Sequence, residues 1–67
     1  MELHLQLRKL GMDYEEAAIN RDYETAAKIE KQIEEIAEQN PEVWIAPLVV
    51  KGRNQVRRRY GLLPVNP

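Results

Sequence analysis

The sequence predicts a mainly α-helical protein: an antiparallel pair of helices followed by an extended C-terminal arm. Apolar residues recur at helical spacing over the first 40 residues, and this periodicity ends at Pro41. A six-residue motif, called the doubled phrase below, also occurs twice, as DYEEAA over residues 13–18 and as DYETAA over residues 22–27. Nine residues on one straight helix turn through about 180°, so the copies would point in opposite directions. A chain reversal between them brings the two Ala-Ala pairs face to face and is favoured.

The first helix is predicted over about residues 3–19. Its apolar residues alternate in steps of four and three, as on one face of a helix. They are Leu3, Leu7, Leu10, Tyr14 and Ala17. Gly11 costs roughly 1 kcal/mol relative to alanine inside a helix, so a kink or break at that position is the open alternative.

The second helix is predicted over about residues 23–39. Asp22 suits its N-cap, because the carboxylate can accept hydrogen bonds from the free N–H groups of the first turn. Asn20 and Arg21 then form the connection, and the four alanines of the doubled phrase line the turn. After the helix, Asn40 is expected to take the left-handed conformation and Pro41 to stop it. The apolar face consists of Tyr23, Ala26, Ile29, Ile33 and Ile36.

Residues 41–67 show no clear period and are predicted to form an extended arm. Short apolar runs surround Pro47, which suits at most one short edge strand, and Gly52 to Asn54 should turn. Two alternatives remain for the residues after this turn. Residues 55–60 form one helical turn capped by Asn54 and ended by Gly61, or residues 48–51 pair with residues 55–59 as a hairpin.

Charge changes sign close to the boundary between the two predicted units, 1–40 and 41–67. Residues 1–42 contain all eleven acids and five bases, a net charge of −6, whereas residues 43–67 contain five bases and no acid, a net charge of +5. This asymmetry indicates either an anionic partner for the basic arm or docking of the arm on the acidic helices.

Composition weighs against catalysis. The 67 residues contain no cysteine, no serine and one histidine, His4. Nothing forms a nucleophile and base pair, a metal site, or a glycine-rich phosphate loop. We therefore expect no enzymatic activity, no metal or cofactor and no small-molecule substrate. The N-terminus does not have a signal-peptide pattern and no window is apolar enough to span a membrane, so a cytoplasmic or otherwise intracellular location is expected.

A partner is expected to complete this small fold. A two-helix hairpin of this size is marginally stable by itself, so its open face must be covered by the arm, a second copy or a larger protein. The candidate contact residues on the hairpin are Leu5, Tyr14, Ile19 and Tyr23. The candidate anchors on the arm are Trp44, Ile45, Leu48, Leu62 and Leu63. The candidate contacts to nucleic acid or to an acidic partner are Lys51, Arg53, Arg57, Arg58, Arg59 and Tyr60.

Residues 10–36 resemble the UVR motif, an antiparallel helical hairpin of bacterial excision-repair subunits and of some Clp-protease regulators. The resemblance rests on an apolar residue before Ala17-Ala18, the acidic-aromatic-Glu triplet Asp22-Tyr23-Glu24, and the second pair Ala26-Ala27 followed by spaced isoleucines. Glu30-Lys31 stands where the family usually has Arg-Asp, and Tyr14 stands where methionine is usual. The resemblance implies a protein-binding hairpin that can pair with a second hairpin, so homo-oligomerisation is an expected option; it implies no repair role.

These observations predict a non-catalytic adaptor that docks on a larger protein or assembly, for which a viral or ribosome-scale complex is one candidate. The alternative is a small nucleic-acid-associated protein. In that case the arginine-rich arm contacts RNA or DNA phosphates, and Tyr60 and Trp44 supply stacking surfaces.

Overall fold

A computed structural model of the chain, which describes residues 2–66, contains three α-helices. α1 spans Glu2–Ile19, α2 spans Tyr23–Gln39 and α3 spans Ala46–Arg59. No strand occurs within residues 2–66. The prediction of a mainly α protein is confirmed, whereas the extended arm is wrong over residues 46–59.

A two-residue turn at Asn20 and Arg21 joins α1 to α2. The Asp22 backbone N–H donates to the Ala17 carbonyl at 2.8 Å and the Arg21 N–H donates to the Ala18 carbonyl at 3.0 Å, which are the paired bonds of a Schellman motif. Arg21 takes a φ of 60° there. Asp22 then caps α2, because its carboxylate accepts a hydrogen bond from the Thr25 backbone N–H at 3.2 Å.

α2 runs back along α1 and ends with a cap that differs from the predicted one. Leu10 and Ile36 line one groove between the two helices, while Ala17 and Ile29 line another, so the helices run in opposite directions. Asn40 has a φ of −133° and is not left-handed. Its side-chain amide instead donates to the Ile36 carbonyl at 2.9 Å, which satisfies one of the free carbonyls at the helix end.

α3 replaces the predicted extended arm. Pro47 lies in the first turn of the helix, where its missing N–H has no intrahelical partner to lose. Gly52 and Asn54 are helical, so the predicted turn at residues 52–54, the single helical turn after it and the alternative hairpin of residues 48–51 with 55–59 are all wrong. Gly61 ends the helix as predicted, with a φ of 71°.

α1 and α3 cross at two glycines. A Cβ atom on Gly11 would collide with the backbone carbonyl of Val49, and one on Gly52 would collide with the backbone carbonyl of Arg8. Gly11 therefore does not break α1, which is continuous; it lets the two backbones approach closely. Because Gly11 faces Val49 and Glu15 faces Arg53 and Arg57, α3 runs in the same direction as α1.

The core lies on both sides of α1. Its completely buried large side chains are Leu7 and Val56, and its smaller members are Ala17, Ala26 and Ile29. α1 packs against α2 and against α3, whereas α2 and α3 do not pack against each other. An open groove consequently remains between α2 and α3. Of the four alanines expected to line the turn, Ala27 is exposed.

Candidate interaction site

Glu15 of α1 is a buried acid at the contact with α3. It is 3% exposed, and its two carboxylate oxygens accept hydrogen bonds from Arg53 Nε at 2.7 Å and from an Arg57 guanidinium nitrogen at 2.8 Å. Burial raises the pKa of Glu15, but the hydrogen bonds and positive charges of the two arginines outweigh it and hold the pKa below the ordinary value of 4.5. Glu15 therefore stays ionised and anchors α3.

The residues on either side of Glu15 contact α3 and the residue that caps its end. The Arg53 guanidinium lies over the Tyr14 ring, 5.3 Å from its centroid, at cation–π distance. The Tyr60 hydroxyl donates to a Glu16 carboxylate oxygen at 2.6 Å, and this hydrogen bond is the main reason that the pKa of Tyr60 is raised. The first copy of the doubled phrase thus receives α3, while its second copy leaves Tyr23 exposed.

The basic residues predicted to contact an anionic partner fall into two groups, those paired within the fold and those that are unpaired in the part of the chain described. Arg53 and Arg57 are half-buried and paired with Glu15. Lys51, Arg58 and Arg59 are exposed and form no ion pair within residues 2–66. Only the latter three point freely to solvent, which reduces the positive charge available to an external anion.

The residues after α3 are held against the helix by side-chain hydrogen bonds. The Asn54 amide donates to the Val65 carbonyl at 3.1 Å and accepts from the Val65 N–H at 2.8 Å. Arg57 Nε donates to the Leu63 carbonyl, and the Leu62 N–H donates to the Arg57 carbonyl at 2.8 Å. The last bond belongs to a second Schellman motif, with Gly61 in the left-handed position.

Most of the predicted apolar contact residues are on the surface. Leu5 is 61% exposed, Tyr23 66%, Trp44 76% and Leu63 81%, and Leu62 is exposed to a smaller extent. The others, which are Tyr14, Ile19, Ile45 and Leu48, are half-buried. The exposed residues lie at both ends of the molecule: Leu5 is near the start of α1 and Trp44 just before α3, whereas Tyr23 and Leu63 are near the ends of α1 and α3.

Several residues that organise this site were not among the contact residues predicted from the sequence. Glu15, Glu16 and Asn54 form its long-range hydrogen bonds, and Gly11 and Gly52 set the helix contact. A second face of α1 shares Leu7 with the apolar face. It carries Gly11 and Glu15 at intervals of four residues. The same spacing in Val49, Arg53 and Arg57 is the signal that could have identified α3.

The contacts of the site are hydrogen bonds, ion pairs and one cation–π contact. In the part of the chain that the structure describes, no group of histidine, aspartate and glutamate side chains could hold a metal ion. None of the three helices described is long and apolar enough to cross a membrane. Comparison with protein-family models, curated proteins and solved structures returned no match to this chain. The resemblance to the UVR motif therefore stays a prediction.

Proposed function

We propose that the protein is a non-catalytic adaptor that binds a larger protein or assembly through exposed apolar side chains on a rigid helical scaffold. The observation that carries this proposal is the exposure of Leu5, Tyr23, Trp44 and Leu63 on a chain of 67 residues. Large aromatic and aliphatic side chains supply most of the energy of protein interfaces once buried. An intracellular location and UVR-like pairing of the α1–α2 hairpin, with itself or with a related hairpin, are parts of the same proposal.

The fixed position of the C-terminal residues supports an adaptor role. Asn54 and Arg57 hold the backbone of Leu63 and Val65, while the Leu63 side chain remains exposed. A segment that is ordered before binding loses less conformational entropy when a partner covers it. Leu63 is therefore an efficient anchor for an apolar pocket on a partner.

The nucleic-acid alternative has less support. Two of the five bases after residue 43 are already paired with Glu15, and their contacts position α3. The remaining cations, Lys51, Arg58 and Arg59, could neutralise about three phosphates, so the affinity for nucleic acid would be low and its fall with salt concentration shallow.

One capture experiment tests the proposal. The intact protein is used as bait in lysate of its native cells, with and without nuclease, beside a variant in which Leu62 and Leu63 are both replaced by Ser and a variant in which Leu5 and Tyr23 are both replaced by Ser. We expect a specific partner that survives nuclease and is lost from at least one variant, although both retain wild-type helicity by circular dichroism. Replacement of the exposed residues Gln32 and Glu34 by Ser is the matched surface control and should retain the partner.

Two results would contradict the adaptor function. A partner that disappears with nuclease, and with replacement of Lys51, Arg58 and Arg59 by Gln, would support the nucleic-acid alternative instead. Equal capture by wild type and both Ser variants would show that Leu5, Tyr23, Leu62 and Leu63 do not bind the partner.

A further inference from the structure

The open groove between α2 and α3 forms a small pocket over α1. Its cavity is about 190 Å³ and is lined by one residue of α1, two of α2 and two of α3. These residues are Tyr14, Glu30, Ile33, Val49 and Arg53. Small-molecule and cofactor sites usually occupy roughly 300–1,000 Å³, so this cavity is better matched to one large side chain.

The lining of the pocket favours an aromatic side chain with a hydrogen-bond donor. Ile33 and Val49 supply apolar walls from opposite helices. Arg53 already has the Tyr14 ring against its guanidinium at 5.3 Å, and a second ring against the other side would extend this cation–π contact. Glu30 is exposed and can accept a hydrogen bond at the rim. Tryptophan combines the most favourable ring for a cation with an N–H donor.

The chain contains one tryptophan, and it is unburied. Trp44 is 76% exposed and lies in the connection between Gln39 and Ala46, which joins the two helices that form the walls of the groove. Trp44 is not among the residues that line the pocket. One molecule therefore has both an exposed tryptophan and a pocket that suits one, and tryptophans buried in pockets are common at the centres of interfaces.

We propose that two copies of the chain associate reciprocally, with Trp44 of each copy inserted into the pocket of the other. Each copy has both Trp44 and the pocket. A two-fold axis would therefore form both contacts at once, and the assembly would stop at a dimer. The indole ring would lie on Arg53, and its N–H would donate to Glu30. This contact also covers apolar surface on a fold whose completely buried large side chains are only Leu7 and Val56 among the residues described.

The inference rests on the proposed function, since it names a second copy as the partner for two of its candidate residues, Tyr14 and Trp44. It leaves Leu5, Tyr23 and Leu63 free for a different protein. It also differs from pairing of hairpins, because the pocket needs Val49 and Arg53 of α3.

Sedimentation equilibrium of the purified full chain, combined with tryptophan fluorescence, tests this dimer directly. Trp44 is the sole tryptophan, so its emission reports its own environment. We expect the monomer–dimer equilibrium and a shift of the emission to shorter wavelength to occur over the same range of protein concentration. Each substitution removes both copies of the contact, so Trp44→Ala should weaken the dimer by about 1,000-fold, twice the free energy typical of one interface hot spot. Trp44→Phe should weaken it by about 100-fold, because the ring is retained and both hydrogen bonds to a charged group are lost.

A charge reversal at the pocket supplies the matched control. Glu30→Lys removes the acceptor from both pockets and places a cation beside Arg53, so the dimer should weaken by about 100-fold or more. Glu34→Lys makes the same change one helical turn away and outside the pocket, and should leave the dimer constant within about twofold. Each substitution leaves one acid and one base at positions 30 and 34, so the two variants should differ in helix stability by no more than about 0.5 kcal/mol.

Two results would overturn the proposal. The first is a monomer at every concentration with the emission of an exposed tryptophan. The second is a dimer that Trp44→Ala and Glu30→Lys leave unchanged, since its contact would then lie elsewhere. A monomer that still captures a protein partner through Leu63 or Tyr23 would end this inference while leaving the adaptor function intact.

Discussion

Glu15 accepts a hydrogen bond at 2.8 Å from Arg57, which lies 42 positions later in the chain. Together with the bond from Arg53 at 2.7 Å, this contact joins the acidic first half of the chain to its basic second half. The charge asymmetry in the sequence therefore has, at least in part, an internal explanation. Docking of the basic segment on the acidic helices was one of the two interpretations of this asymmetry, beside an anionic partner.

Replacement of Glu15 by Ala should destabilise the fold by about 3 kcal/mol. Breaking a buried ion pair typically costs about 3–5 kcal/mol, and the lower end applies because both arginines can turn towards solvent. Glu15→Gln keeps the size and one acceptor, so a smaller loss of about 1–2 kcal/mol is expected. Urea unfolding followed by circular dichroism measures both. Glu24→Ala, at the matching position of the second phrase, is the control and should cost less than about 1 kcal/mol.

Acid should destabilise the wild type more than it destabilises Glu15→Gln. The pKa of Glu15 is lower in the folded protein than its ordinary value of 4.5, so folding favours the ionised form. The resulting stability is present in full above the unfolded-state pKa and is lost as the pH falls through the folded-state pKa. Asp22, whose pKa is lowered mainly by hydrogen bonds from Thr25, contributes in the same direction and is unchanged in the variant.

The free energy of unfolding, measured from about pH 7 down to about pH 2, tests this expectation. Below about pH 4.5 the curve of the variant should be flatter than that of the wild type. Parallel curves would mean that Glu15 has the same proton affinity in the folded and unfolded chains.

Replacement of Gly11 by Ala should destabilise the protein, although alanine is the better helix former by about 1 kcal/mol. The added Cβ collides with the backbone carbonyl of Val49, and backbone cannot move aside as a flexible side chain can. We expect a net loss of about 1–3 kcal/mol in urea unfolding, the cost typical of overpacking. Gln6→Ala, at an exposed position of the same helix, should be neutral or slightly stabilising. A more stable Gly11→Ala variant would contradict the close crossing of α1 and α3.

Replacement of Asn54 by Ala should release the C-terminal residues from α3. Asn54 forms both hydrogen bonds to the Val65 backbone, so the Val65 amide should lose its protection from hydrogen exchange. Asn54→Asp keeps the acceptor and loses the donor, and should retain part of the protection. Global stability should change by less than about 1 kcal/mol, because Val65 is not part of the buried core. Unchanged exchange at Val65 in the Ala variant would rule out this attachment.

The first two helices could be located from the sequence because their signals are local. Periodic apolar residues fix the inner faces, Asp22 caps the start of α2, and Asn40 and Pro41 mark its end. The observed bounds Glu2–Ile19 and Tyr23–Gln39 lie beside the predicted 3–19 and 23–39. Local signals of this kind do not depend on what the helices contact.

The third helix could not be located in this way because its local signals point elsewhere. β-Branched residues around Pro47, and a glycine inside the segment, favour extended structure or a turn when considered alone. In the fold, Pro47 occupies the permissive first turn, and Gly52 is required by contact with the backbone of α1. The burial of Glu15 likewise depends on Arg53 and Arg57, which no local pattern around Glu15 reveals.

The crossing of α1 and α3 also defines a pattern by which distant relatives could be recognised. A glycine followed four residues later by an acid, as in Gly11 and Glu15, must co-occur with a second glycine followed by arginines one and five residues later, as in Gly52, Arg53 and Arg57. Both glycines are needed for the crossing, because each one meets the backbone of the other helix. A larger residue at either glycine cannot be accommodated by a change at the other. A homologue that has lost one half should have lost both, and with them the third helix as it is placed in this protein.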